Sequence, residues 1–236
     1  MKLAGSGIDL ALYVKALPLY GRNLAVALPP LLAAIVQVLL GYLSGPITDP
    51  VGGAGGGIFA IISYLIFGFA FGISLIFADD AWRHGRANIA LAWHEGRRKL
   101  GNIVLATLGF YFVIYVAGLL GGLLGSFGSL VVTAIAAYGL IYTIPAASMG
   151  GIGGTYALNR SIQLVKAAPL AAAILTIVSI AVFFLVGQSG AEWFAAYAGS
   201  GAGYTILRIL LPALAAGYIA LIVAKQYADV AFARRW

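Results

Sequence analysis

The sequence predicts an all-α integral membrane protein: six transmembrane helices as three parallel helical hairpins, with amphipathic cytoplasmic interfacial helices. Three observations carry this reading. Of 236 residues, 62% are hydrophobic and 9% charged, whereas a soluble domain is about a quarter charged. Six apolar stretches are long enough to cross a bilayer, which takes about 20 residues each. The Lys and Arg residues fall almost entirely in every second gap between those stretches.

The stretches are residues 24–44, 57–78, 102–124, 130–148, 168–187 and 204–224. Pro29-Pro30 in the first and Pro212 in the sixth are expected to kink their helices. Gly68 and Gly72 in the second form a small-xxx-small pattern, as do Gly118, Gly121, Gly122 and Gly125 in the third. Such patterns let helix backbones approach closely, within the chain or against another subunit. The spans are poor in polar groups. Gln37 is the mid-membrane amide; Ser63, Ser74, Thr133, Thr176 and Ser179 complete the main set. Each reads as an interhelical hydrogen bond rather than a step in an ion pathway.

The gaps set the topology. Lys2, Lys15 and Arg22 precede the first span, and Arg83, Arg86, Arg97, Arg98 and Lys99 follow the second. Arg160 and Lys166 follow the fourth, and Lys225, Arg234 and Arg235 follow the sixth. The gaps at 45–56, 125–129 and 188–203 hold no Lys or Arg. The positive-inside rule puts both termini in the cytoplasm. Arg208, at the outer end of the sixth span, is the exception. It reads as a snorkelling anchor paired with Glu192 in an outer ion pair. The sharper alternative is an anion or lipid-headgroup contact.

Each cytoplasmic segment is amphipathic and lies just before a span, as interfacial helices do. Ile8, Ala11 and Leu12 lead to Pro18 in the first. Trp82, Ile89, Trp93 and Leu100 recur in the second. Leu158, Ile162 and Val165 form the stripe in the third. Their basic residues Arg83, Arg86, Arg97, Arg98, Lys99, Arg160 and Lys166 read as lipid-headgroup or interfacial contacts, the lipid being anionic. Tyr13, Tyr20, Trp82, Trp93, Tyr142, Trp193, Tyr197, Tyr227 and Trp236 read as aromatic belts. The chain is then a single membrane domain, 1–236, with approximate repeat units 8–80, 81–148 and 149–236. All three units start and end inside, so the repeats are parallel. That weighs against inverted-repeat transporters.

Several chemistries find no constellation. The absence of Cys removes disulfides, thiolate metal sites and Cys nucleophiles. His84 and His94, with Asp79, Asp80 and Glu95, offer metal-ligand types, but ten residues of helix separate the histidines by about 15 Å. The Gly-rich run from Gly52 lacks the Gly-Lys-Ser/Thr end of a phosphate loop. No span holds a His for axial haem ligation. The net charge of +7 is spread over membrane edges, which argues against nucleic acid. Met1 to Leu24 does not read as a signal peptide, because Asp9, Lys15 and Arg22 interrupt any apolar core. The expectation is a non-enzyme with no cofactor.

The stretch Ile144-Pro145-Ala146-Ala147 through Tyr156-Ala157-Leu158-Asn159-Arg160-Ser161-Ile162-Gln163-Leu164-Val165-Lys166 resembles a Pro-Ala … Ala-Leu-x-Arg-Ser-x-x-Leu-Val-Lys pattern. Bacterial and archaeal six-span proteins similar to the membrane domain of glycerophosphodiester phosphodiesterases carry that pattern. The resemblance covers the second and third units and implies architecture alone. It implies a place in a bacterial or archaeal cytoplasmic membrane, with Arg160 as a headgroup contact and Ser161 as a helix-packing residue. The phosphodiesterase belongs to a separate soluble barrel, and no catalytic residue carries over.

The leading functional expectation is a non-catalytic membrane scaffold or accessory subunit of a larger complex. It would act by helix packing and lipid contact alongside other membrane subunits. The alternatives are a transporter or channel for a small neutral or lipid-like solute, and a pigment- or quinone-holding subunit of an energy-converting complex. A polar cavity at mid-membrane would favour transport, and a solid core with open small-residue grooves would favour the scaffold.

Overall fold

The computed structural model describes residues 9–44, 54–198 and 201–232, and every regular element among them is helical. Lys2, Ile8, residues 45–53 of the first outer gap, the side chain of Tyr197, and Arg234, Arg235 and Trp236 lie outside the described residues. The chain runs through α1 (Ala11–Arg22), a 3-10 turn (Leu24–Ala27), α2 (Leu28–Ser44), α3 (Ala54–His84), α4 (Ile89–Arg98) and α5 (Leu100–Gly122). It continues through α6 (Gly125–Leu140), α7 (Thr143–Ser148), α8 (Gly154–Ala167), α9 (Pro169–Val182), a π-helical stretch (Phe183–Gln188), α10 (Ser189–Ala198) and α11 (Ala202–Phe232). Among the described residues, five helical stretches are long and apolar enough to cross a membrane. They become six if α1 and the start of α2, bent by 93°, count as one broken span.

Local chemistry places the corners. Gly85, with φ of +79°, ends α3 by donating its N–H to Ala81 O at 2.8 Å, the role glycine fills past a helix end. Asn88 then caps α4, its side chain accepting from Leu91 N–H at 3.2 Å, which satisfies one orphan donor of the first turn. Pro169 opens α9, where its missing N–H costs nothing. Asn23 sits buried at the α1–α2 corner. Its amide donates to Leu19 O at 2.9 Å and Gly85 O at 3.0 Å, and its oxygen accepts from Ala87 N–H at 2.9 Å. Asn102, near the start of α5, donates to Gly151 O at 2.9 Å. Such bonds gather the corners at α1, α4 and α8 into one end of the bundle.

Four expectations change. Pro29 and Pro30 do not kink a span: they occupy the first turn of α2, and the bend lies before them. Pro30 withholds an N–H from Val26 O, and Ser74 Oγ supplies the replacement bond at 2.8 Å. The stretch Gly125–Ser148 is one apolar helical span, but its α-helix is interrupted at residues 141–142, one turn before Pro145, which has no N–H for Ile141 O. Ser161 Oγ bridges the break, accepting from Tyr142 N–H at 3.0 Å and donating to Gly139 O at 3.0 Å. Trp82 belongs to the last turn of α3 rather than to an amphipathic helix, and its indole N–H donates to Leu221 O at 2.9 Å. Residues 189–198, read as an outer loop, are helical as α10.

The core lies in the half that carries α1, α4 and α8. Residues 72–78 of α3, 142–148 through α7, and 219–224 of α11 are all buried, and α3, α7 and α11 pack on one another there. Phe77, Leu75, Leu221 and Ile222 are at most 2% exposed. Large apolar side chains stay exposed along the outer helices, up to 83% at Leu123 and 80% at Phe127 by the α5–α6 turn. Contiguous apolar surface of this kind needs a non-aqueous neighbour.

Candidate functional site

The other half of the bundle is not solid. It holds a crevice of about 890 Å³ between α2, α3, α5, the π-helical stretch and α11, within the range of about 300–1,000 Å³ typical of small-molecule sites. Gln37 enters from α2, Tyr64 and Phe67 from α3, Tyr111 from α5, Gln188 from the π-helical stretch, and Arg208 from α11.

The lining residues are held in place by packing. Gln37 donates through Nε2 to Ser63 O at 2.9 Å, fastening α2 to α3 at the crevice wall. The Tyr64 and Tyr111 rings stack with centroids 4.6 Å apart and planes 23° apart. The Tyr111 phenol, midway along α5, carries a polar tip into an otherwise apolar region. Arg208 lies in the second turn of α11, and no ion pair joins it to Glu192 among the described residues. Glu192 on α10 and Arg208 on α11 are both exposed, without the expected pairing, and Arg208 lines the crevice.

A π-helical stretch and two helix prolines border the same place, although α11 runs unbroken through Pro212. Pro30, Phe183, Gln188 and Pro212 all line the crevice. π-turns within α-helices concentrate at functional sites, and helix breaks at membrane depth are tolerated where they line a cavity. Gly187, in the π-helical stretch, faces Pro212: a Cβ on it would lie 3.4 Å from Pro212 Cα. Pro212 also withholds an N–H from the carbonyl of Arg208. Among the described residues, no side chain takes over that bond as Ser74 does for Val26. The crevice therefore offers one guanidinium, amide and phenol groups, and apolar walls. The set can bind and orient a molecule that is part polar and part apolar.

The basic residues at the opposite end divide. Arg83 pairs with Asp79 at 2.9 Å, and Arg98 approaches Glu95 at 3.8 Å. Arg86 and Arg97 are exposed. Lys99 is turned inward, its side chain 17% exposed, bonding Glu95 at 3.0 Å and Ser148 O at 2.8 Å. That hydrogen bond holds the Glu95 carboxyl below its ordinary range. Lys99 thus braces the α4–α5 corner against the end of α7. His84 bonds Asp80 at 2.7 Å, and His94 is exposed. Arg160 and Lys166 line a cavity of about 480 Å³ between α8 and the end of α11.

The glycines also divide. A Cβ on Gly68 would collide with Thr107, and one on Gly72 would lie 2.8 Å from Ile103. Gly68 and Gly72 therefore seat α3 on α5. Gly121 meets Gly128 O at 2.5 Å on the same test, and Gly118 meets Thr133 at an ordinary 3.5 Å. Gly122 faces open space. Gly125 has φ of +85° and serves the α5–α6 turn.

Sequence reading found Gln37 and Arg208 but missed Tyr64, Tyr111 and Gln188. The available signal was depth: Tyr111 lies midway along α5, too far from its ends to belong to an aromatic belt. No family model, no curated protein and no solved structure matches the chain.

Proposed function

We propose that the protein binds a small lipid-like solute in the Arg208 crevice and carries it from one side of a membrane. In this reading the chain has six spans in three hairpins, with both termini and the basic amphipathic helices on the cytoplasmic face. The 93° bend before α2 supports it, because α1 then lies along the interface while α2 rises from it. The single observation that carries the reading is the crevice itself. It sets Gln37, Tyr111 and Arg208 among apolar walls beside the π-helical stretch, and the packed core lies at the opposite end. That is the disposition of a carrier open to the outside.

The packing glycines favour this over a scaffold. Gly68, Gly72, Gly118 and Gly121 meet partners inside the chain, so those stripes are not free for another subunit. The test is extraction in mild detergent, sizing, and mass spectrometry of what travels with the protein. The chain with a bound amphiphile, lost in Ala34→Trp, is the expected result. Ala34 lines the crevice, and an indole there would fill it. A stoichiometric protein partner, with no small molecule lost in the variant, would instead support the accessory-subunit reading. One surface favours that second reading: the exposed tip of the α5–α6 hairpin, where Gly122 is open and Leu123, Leu124 and Phe127 are each at least 77% exposed.

A further inference from the structure

We infer that the crevice selects an amphiphile with a single anionic head: one carboxylate or phosphate oxyanion joined to an alkyl chain. The inference rests on the crevice being the binding site and adds the charge of what it holds. Arg208 is the one charged residue in the lining, and no carboxylate lies within ion-pair distance of it among the described residues. Lys225 pairs with Asp229, Arg83 with Asp79, and Lys99 with Glu95; Arg86 and Arg97 are, like Arg208, outside the ion pairs among the described residues, but of these only Arg208 faces the crevice. Arg208 is exposed, in the second turn of α11, so its guanidinium is open to a ligand entering between the apolar walls, and an unpaired cation beside an apolar surface favours an anionic partner. A ligand with a negative charge supplies that partner, through charge-assisted and often bidentate hydrogen bonds.

The rest of the wall sets the other half of the ligand. Tyr64, Phe67, Tyr111 and Phe183 present aromatic faces, and Val38 and Ile209 present aliphatic ones. A small inorganic anion would leave those faces without contact, whereas an alkyl chain gains about 0.8 kcal/mol per buried CH₂. Gln37 and Gln188 add amide groups to the lining. A neutral head would leave the guanidinium as it is in the empty crevice.

The experiment measures binding to the full chain in dodecyl maltoside at pH 8 with four probes: laurate, dodecyl phosphate, the neutral monolaurin, and inorganic phosphate. Laurate, dodecyl phosphate or both should bind more tightly than monolaurin and inorganic phosphate. Arg208→Gln should weaken the anionic probes by about tenfold or more, the scale of a lost charged hydrogen bond, and leave monolaurin unchanged. Arg208→Lys should restore part of the affinity, and Lys15→Gln, a cation in the other half, should change nothing. The preference between laurate and dodecyl phosphate tells a carboxylate ligand from a phosphate one. Monolaurin binding as tightly as the anions would overturn the charge inference and leave the crevice standing. Inorganic phosphate binding as well as dodecyl phosphate would overturn the amphiphile. If no probe binds the wild type, the crevice reading fails with it.

Discussion

Ser161 shows how much one hydroxyl can hold in a chain with little water to replace it. Its oxygen accepts from Tyr142 N–H and donates to Gly139 O, each at 3.0 Å, and Ser161 itself is buried. Those two backbone groups flank the break between α6 and α7, one turn before Pro145. Ser161→Ala strands both, and a buried group left without a partner costs about 1–3 kcal/mol. The variant should lose about 2–4 kcal/mol of stability, read as a lower unfolding temperature in detergent. Ser126→Ala, at an exposed position on α6, should stay within about 0.5 kcal/mol. Equal behaviour of the two would mean that water or another group satisfies the break. Ser74 acts more directly, serving the very carbonyl, Val26 O, that Pro30 leaves free. In both, the proline lies on one helix and the hydroxyl on another.

That separation explains which elements could be read in advance. The spans were legible because hydropathy is a local sum: α5 begins within two residues of its expected start, and the three short amphipathic helices α1, α4 and α8 each precede a span. The α6–α7 break was not, because Ser161 lies far along the chain from the groups it bridges. The crevice was not either, because Tyr64, Tyr111 and Gln188 come from three separate elements, and the Glu192–Arg208 pair was inferred from nearness in sequence. The small-residue pattern of α5 was legible as a pattern and not residue by residue. Gly121 is pressed against Gly128 O, while its neighbour Gly122 is open. Gly121→Ala should therefore loosen the α5–α6 hairpin by about 1–3 kcal/mol, the usual cost of overpacking. Gly122→Ala should remain within about 1 kcal/mol of wild type. Thermal unfolding of the two variants separates them, and a larger loss for Gly122→Ala would mean that α5 is covered on that face by something outside the chain.

At the scale of the whole molecule, charge and packing point the same way. Among the described residues every Lys and Arg except Arg208 lies in the half with α1, α4 and α8, which is also the half with the solid core. Positive charge in short loops marks the cytoplasmic face, so the crevice should open on the other. The lack of Cys makes this directly testable, since a single introduced thiol is the only one present. Ser126 and Arg97 are exposed at opposite ends. A membrane-impermeant thiol reagent should label Ser126→Cys in intact cells and Arg97→Cys only after permeabilisation. Ala34→Cys, inside the crevice, should react from the outside with a small reagent, and preloading with laurate should slow that reaction. Labelling of Ala34→Cys from the cytoplasm alone would mean that the packed half is not a closed floor. A carrier must close one end while the other is open, and the buried cluster of α3, α7 and α11 would then have to part for the solute to leave.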